Sequence, residues 1–426
     1  MNAEDFFIEG LRLAAGGKLA EAAERWAATL AAAPAHAQAR FNRVLALGRL
    51  GRLEEAAAEA AEGCRHHPTE PSFPAQLGQI LARLGRLDRA ADALRQALGL
   101  GDDPALWWAL GLVERDRCAW SQARQALSHV EDRVEARFEL AQLLLRDGEW
   151  QKGWELWESR LARPQAAEDR WHIPEWTGGG LNGLDLLVYG EQGVGDTIQM
   201  LRFVPELAQR GAIVRLAVHD GLMGLLAGLP GVTQLLPLSA PACPATHRVS
   251  IMSLPHRLPA ADCRPGSVPY LAARPAVLTG GGLKVGLVWA GSASFANAAQ
   301  RHVGRQLLEP LAAIPGTSLY SLQLDQAPND PAITDLAPGI KDWTDTAGLI
   351  AALDVVISVD TGTAHLAGAM GKPVWLLLHK GADWRWGHGT RTDWYPSARL
   401  YRQDTNGDWG PVLARVGLDL RKLARA

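Results

Sequence analysis

The chain has 426 residues, with 43 Lys+Arg against 46 Asp+Glu and 47% hydrophobic residues. At roughly 100–200 residues per domain it is too long for one ordinary core, so two or three domains are expected. The formal net charge of −3 gives no general attraction to a phosphate backbone or an anionic membrane, which argues against a nucleic-acid partner and requires any anion site to be built locally.

The chain begins Met1-Asn2-Ala3-Glu4-Asp5, acidic where a signal peptide is basic, and no apolar run approaches the roughly 20 residues of a spanning helix. A cytoplasmic protein with no membrane span is expected. Cys64, Cys118, Cys243 and Cys263 form no C-x-x-C pair, and the histidines show no H-E-x-x-H spacing, so free thiols and no metal site are expected.

The first 163 residues repeat. Gly17, Gly51 and Gly85 are spaced by 34 residues, and Leu19/Leu53/Leu87 and Ala22-Ala23/Ala56-Ala57/Ala90-Ala91 keep the same step. At each glycine one helix ends and another starts, and Pro34, Pro68 and Pro104 mark the breaks between units. Looser units turn at Cys118-Ala119-Trp120 and at Asp147-Gly148-Glu149-Trp150, which makes five helix–turn–helix pairs. This pattern resembles the tetratricopeptide repeat, in which small residues let paired helices approach and stacked pairs form a superhelix. The resemblance implies a groove for a partner or acceptor; a surface for homo-oligomers or a plain spacer remain the alternatives.

From 164 to 182 the composition turns to Pro164, Pro174 and Gly178-Gly179-Gly180, a linker. Beyond it, strands are expected at 184–190, 213–219, 232–238 and 248–254. They restart after a Pro- and Gly-rich stretch at 283–291, 317–324, 354–359 and 373–378. Continuous apolar strands separated by helical stretches predict parallel sheets covered on both faces. Two such lobes, 183–275 and 276–426, would enclose a cleft, the default ligand site.

Three motifs lie where chemistry is expected. Gly190-Glu191-Gln192-Gly193-Val194-Gly195-Asp196-Thr197 hands a strand over to a helix beginning near Asp196. Gly193 and Gly195 permit close approach of a ligand, and the helix start offers free N–H groups. A turn with Asp196 as N-cap explains the same letters, and Ile198 stands where a dinucleotide fingerprint needs glycine. Asp360-Thr361-Gly362-Thr363-Ala364-His365 follows an apolar strand and opens a second helix. Its first-turn N–H groups suit a diphosphate without a metal, although such turns also occur in sheets that bind nothing. Asp383-Trp384-Arg385-Trp386, with Trp394-Tyr395 behind it, would suit a base, a sugar face or a phosphate oxygen, or would lock the lobe together.

Together with Val285–Gly291, these motifs and the repeats resemble the bacterial tetratricopeptide-repeat glycosyltransferases related to the lipopolysaccharide heptosyltransferases, over nearly the whole chain. The fold implied is α + α/β: an N-terminal tetratricopeptide-repeat superhelix followed by a GT-B-like pair of Rossmann-type lobes. The resemblance implies transfer from a nucleotide-sugar donor, held by the C-terminal lobe, to an acceptor, by inverting displacement with no metal or other cofactor. Asp196 matches the acidic residue that takes the acceptor proton, and the 361–364 helix start would face the departing diphosphate. The acceptor is expected to be a protein or glycan presented in part by the repeats. Arg301 keeps a basic position of the family in the loop 292–303, whose earlier part is nearly neutral here. Lys380 or Arg385 would compensate, and Gln192 and Gln323 are further candidates for donor or acceptor contact. His365 sits in the motif, yet a histidine on such a helix is more often simply hydrogen-bonded in place. The competing expectation is a repeat-based interaction module whose transferase-like domain binds a nucleotide but is catalytically degraded.

Overall fold

The structure, a computed structural model, describes residues 1–425 except 164–170, 260–262, 267 and 292–297. It divides into two compact units, Met1–Leu140 and Ala141–Ala426.

In the first unit α1 (Ala3–Ala15) pairs with α2 (Leu19–Ala32), α3 (Ala37–Arg49) with α4 (Leu53–His66), α5 (Ser72–Arg83) with α6 (Leu87–Leu100), and α7 (Pro104–Asp116) with α8 (Trp120–Ser128). Each pair turns on one residue with positive φ. Gly17, Gly51 and Gly85 stand at +78°, +76° and +71°, a conformation glycine takes without a Cβ penalty, and Cys118 holds the equivalent place at +61°. The turns share one bonding pattern: Lys18 N–H to Leu13 O at 2.9 Å, Arg52 N–H to Leu47 O at 3.0 Å, Ala119 N–H to Glu114 O at 2.9 Å. These bonds satisfy carbonyls that the helix end would otherwise leave unpaired. The paired alanines are buried throughout. Glycine does the same work at Gly10 and Gly78, where a Cβ would meet Trp26 Nε1 at 2.4 Å and Leu94 Cγ at 2.6 Å. Buried Glu59 is held by Arg40 and Arg43, and buried Glu114 by Arg95 and Arg117, so each acid has cationic partners. On the face made by α1, α3 and α5, Phe7, Leu11, Gln38, Phe41, Asn42 and Phe73 line a groove of about 460 Å³.

α9 (Val134–Arg146) crosses the division, and α10 (Trp150–Trp157) belongs to the second unit. Where the sequence reading carries the helical domain to 163, the compact units part near 140. Tryptophan explains why α10 stays with the sheets. Trp154 meets Trp384 and Trp394 edge to face, with ring centres 5.5 and 6.3 Å apart, and its indole N–H bonds Cys263 O at 2.9 Å. Of the expected linker, 164–170 lie outside the described residues. The part after it is packed: Trp176 is buried, and its backbone N–H bonds Arg248 O at 2.7 Å.

The first sheet contains β1 (Asp185–Tyr189), β2 (Ile213–Val218), β3 (Val232–Pro237) and β4 (His247–Ser250), in the order β3-β2-β1-β4, all parallel. α11 (Val194–Met200) and α12 (Val204–Gln209) follow β1, and α13 (Leu254–Arg257) follows β4. β4 is shorter than expected, because 251–257 turn helical with Pro255 in the first turn.

The second sheet is built from β5 (Leu283–Val288), β6 (Thr317–Ser321), β7 (Ile333–Asp335), β8 (Val355–Val359), β9 (Val374–Leu378) and β10 (Ala398–Arg402). Its order is β10-β9-β8-β5-β6-β7, again all parallel. Its helices are α14 (Ala298–Arg301), α15 (Trp343–Ala352), α16 (Gly362–Ala369) and α17 (Gly410–Leu423). Every residue of β8 and β9 is buried, as a parallel sheet covered on both faces requires. Val412, Val416 and Leu420 of α17 pack on Val285, Leu287 and Ile357. Strand order reverses beside β1 in the first sheet and between β5 and β8 in the second. In open parallel sheets such reversals open a crevice at the carboxyl ends of the strands, and the two glycine-rich motifs follow β1 and β8. Among the described residues no helix is long and apolar enough to cross a membrane.

Candidate functional site

The turn after β1 is shaped by Glu191. Arg160, buried just after α10, grips it with two bonds, Nε to Oε1 at 2.9 Å and Nη2 to Oε2 at 2.8 Å, and Ser250 Oγ donates to Oε2 as well. Burial opposes the charge on Glu191, but these bonds outweigh it and hold the carboxyl below its usual range. Gln192 follows at φ +63° with its side chain exposed, and its carbonyl lies 3.2 Å from His219 Nε2.

The helix then starts earlier than the sequence suggested. Gly193 is the N-cap of α11 and Asp196 stands one turn in, where its Oδ2 accepts the Gly193 N–H at 2.8 Å. A carboxylate at this third position suits the positive end of the helix. The expected N-cap role of Asp196 is therefore corrected, since glycine has no side chain and the acid reaches back to it. Asp196 Oδ1 accepts from Arg385 Nη2 at 2.5 Å. Burial raises the Asp196 pKa, and Arg385 and the Gly193 N–H offset only part of that rise.

Beyond β8, Thr361 caps α16, with Oγ1 accepting the Ala364 N–H at 3.4 Å. The N–H groups of Gly362 and Thr363 make no hydrogen bond among the described residues. Gly362 has no room for a side chain, because a Cβ would lie 2.6 Å from Trp343 Cη2. Asp360 accepts from Arg301 Nη2 at 2.8 Å on its carboxylate and at 2.9 Å on its carbonyl. Its pKa is raised by burial against the pull of Arg301. Arg301, expected on a phosphate, is thus an ion-pair partner of Asp360; residues 292–297 of its loop lie outside the described residues. His365 is buried with Nδ1 2.9 Å from the Tyr395 hydroxyl. Burial, aided by the Arg385 charge, lowers its pKa to about 3, so it is neutral at ordinary pH.

The two helix starts meet. A Cβ on Gly195 would lie 2.9 Å from His365 Cδ2 and 3.4 Å from Gly362 Cα, so Gly193, Gly195, Asp196, Asp360–His365 and Arg385 form one cluster. Two further candidates make no bond to this cluster among the described residues. Gln323 is buried, and its Oε1 accepts the N–H groups of Trp289 at 3.1 Å and Ala290 at 2.9 Å, fixing the chain as it leaves β5. Lys380 is exposed, and no side-chain bond joins it to the other candidates among the described residues. Of the two expectations for the indoles, burial of Trp384, Trp386 and Trp394 fits the one in which they lock the lobe together. Among the described residues no three His, Cys, Asp or Glu side chains are grouped as metal ligands.

The sequence reading gave Gln199 no place in the cluster, and named Asp383 and Tyr395 only as parts of the tryptophan-rich motif, without a role. Gln199 carried a usable signal, since it stands three residues after Asp196 on the same helix face. Asp383 stands two residues before Arg385 and accepts both its backbone N–H, at 3.0 Å, and its Nη1, at 2.9 Å. Tyr395 was part of that motif, but nothing in the letters paired its hydroxyl with His365.

The tetratricopeptide repeat family matches residues 9–71 and 76–127, and glycosyltransferase family 9 (heptosyltransferase) matches residues 326–379. The chain thus combines a stretch that matches tetratricopeptide repeats with a stretch that matches glycosyltransferase family 9. The family 9 match contains Asp360–His365 and ends before Arg385; Asp196 precedes it. Protein FlbA of Caulobacter vibrioides is 27% identical over 356 residues, covering 74% of this chain, which spans 60% of that protein's length. Among solved structures, MamA of Desulfovibrio magneticus RS-1 is 16% identical and covers 39% of this chain and 97% of its own, with a TM-score of 0.36. A tetratricopeptide repeat protein of Parabacteroides merdae is 18% identical and covers 38% of this chain and 68% of its own, with a TM-score of 0.35.

Proposed function

We propose that the chain transfers a sugar from a nucleotide-sugar donor to an acceptor by a single inverting displacement that needs no metal. The carrying observation is the meeting of two helix starts, one bearing an acid and one presenting unpaired N–H groups, at the reversal points of two parallel sheets. The acceptor hydroxyl oxygen forms the new bond to the anomeric carbon as the bond to the departing phosphate oxygen breaks. Asp196 takes the hydroxyl proton, and its raised pKa brings it nearer the working pH of a general base. The Gly362 and Thr363 N–H groups stabilise charge growing on the diphosphate, as fixed dipoles do in a dry cleft. The apolar groove on α1, α3 and α5 suits an acceptor protein segment, which would make this a protein glycosylation enzyme of the cytoplasm. Incubation with a panel of nucleotide sugars should give transfer or donor hydrolysis. Asp196→Asn should abolish it while keeping nucleotide binding, and full activity in that variant would remove Asp196 from the mechanism.

A second reading has its own observation: both Asp196 oxygens and Arg301 are already bonded within the chain. A repeat-based interaction protein with a nucleotide-binding but inactive domain fits that pattern. The two readings part on turnover. They share nucleotide binding, which at one hundred times Kd stabilises a fold by about 2.7 kcal/mol and is visible as a thermal shift with ADP, GDP, UDP or dTDP.

A further inference from the structure

Arg385 stands in the turn after β9, in the lobe opposite α11, and its guanidinium is buried. Each of its three nitrogens has a bond: Nε to Gln199 Oε1 at 2.6 Å, Nη1 to Asp383 Oδ1 at 2.9 Å, and Nη2 to Asp196 Oδ1 at 2.5 Å. Asp196 and Gln199 lie one turn apart on α11, so the planar fork spans one face of that helix. Gln199 is fully buried, and turning its oxygen to Arg385 leaves its Nε2 without a partner among the described residues. Leaving a buried amide unpaired is unfavourable, and here it accompanies the hold on the guanidinium.

We infer that Arg385 is the positioning residue for Asp196, gripping Asp196 and Gln199 together from the opposite lobe, so that the carboxylate, held on one oxygen by its own Gly193 N–H, has its second oxygen fixed only while the two lobes are together. The charged groups around Asp196 are Arg385 and Asp383 after β9, Glu191 before α11 and the Arg301–Asp360 pair beside α16; His365 on α16 is neutral. Arg385 is the cation bonded to the Asp196 carboxylate, and lobe separation withdraws it. Donor-driven closure would then ready the base and the diphosphate site in one motion. The catalytic consequence rests on the transferase reading; the grip itself does not.

The test is the titration of the Asp196 carboxyl, followed by carbon-13 NMR and assigned by its loss in Asp196→Asn, in the full chain. An adjacent cation lowers a carboxyl pKa by about 1–3, so Arg385→Gln should move the midpoint up in pH by that amount. The rising limb of the pH–rate profile should move with it while the KM for donor changes little. Gln199→Leu leaves both charges and removes one anchor of the fork, and should give a smaller move in the same direction. It decides the matter if Arg385→Gln does not fold. An unmoved Asp196 midpoint in folded Arg385→Gln, or in Gln199→Leu where the first variant fails, overturns the inference. Absence of turnover in the unmodified protein with every donor would instead sink the transferase reading, and the carboxyl titration would still report on the grip.

Discussion

The repeat turns close a helix end with bonds from the neighbouring chain, whereas the acids of the site turns also take partners from a distance. At Gly17, Gly51 and Gly85 the partners lie within five residues and the solution recurs along the chain. At the start of α11 Asp196 accepts the Gly193 N–H locally, but its carboxylate is also held by Arg385, 189 residues away, and Asp360 is held by Arg301, 59 residues away. The difference teaches where specific chemistry can be placed. A locally closed turn is complete in itself, whereas a carboxylate held from a distance depends on two segments meeting, and at Asp196 on two lobes meeting.

The largest effect expected from breaking the distant arrangement is on turnover. Asp196→Asn should lower transfer by about 10²–10⁴-fold, the usual worth of a general base, measured with the best donor of a nucleotide-sugar panel. Next is the anion side. Gly362→Ala drives a methyl into Trp343 and should destabilise the fold by about 1–3 kcal/mol, read as a lower urea midpoint, with nucleotide binding weakened.

A pH series sharpens the comparison further. His365 falls to about 3 and His379 to about 4 from 6.5, so between those values the unfolded chain binds protons that the fold excludes. Stability contributed by the neutral rings is full above about 6.5 and is lost as pH falls toward the folded values. The raised pKa values of Asp196 and Asp360 act in the other direction, because the fold takes up those protons first. His365→Gln should therefore reduce the loss between pH 7 and 5 by about 1–2 kcal/mol, checked by urea midpoints across that range. The smallest effect belongs to the local turns: Cys118→Gly relieves a non-glycine residue at φ +61° and should stabilise by about 1 kcal/mol or less, raising the melting temperature slightly.

What could be read from the letters follows the same division. The repeats were legible because the turn glycine, the paired alanines and the following leucine lie in one window and recur, and Cys118 marks the unit where the pattern loosens. β8 and β9 were legible as continuous apolar runs. β7 and β10 were not, being a three-residue edge strand and a strand with Arg399 and Arg402 in it. Within the site, Asp196, Gly195 and the Asp360–His365 turn were found because glycine and acid at a strand end have a local meaning. The true partners of Arg385 and Arg301 were not, since an arginine does not state which distant carboxylate it will meet. The tryptophans of 384–394 left a ligand face and a lobe lock both open for the same reason, and packing decides for the lock: Trp154 meets Trp384 and Trp394, and Trp386 lies against His365 and Tyr395.

The central claim is a division of labour: the start of α16 holds the diphosphate and the start of α11 supplies the acid. Nucleotide affinity and turnover measured side by side in Asp196→Asn and Gly362→Ala test it most directly. The account predicts that Asp196→Asn keeps its affinity and loses turnover, while Gly362→Ala loses affinity first. Lost affinity in Asp196→Asn together with unchanged affinity in folded Gly362→Ala would contradict it.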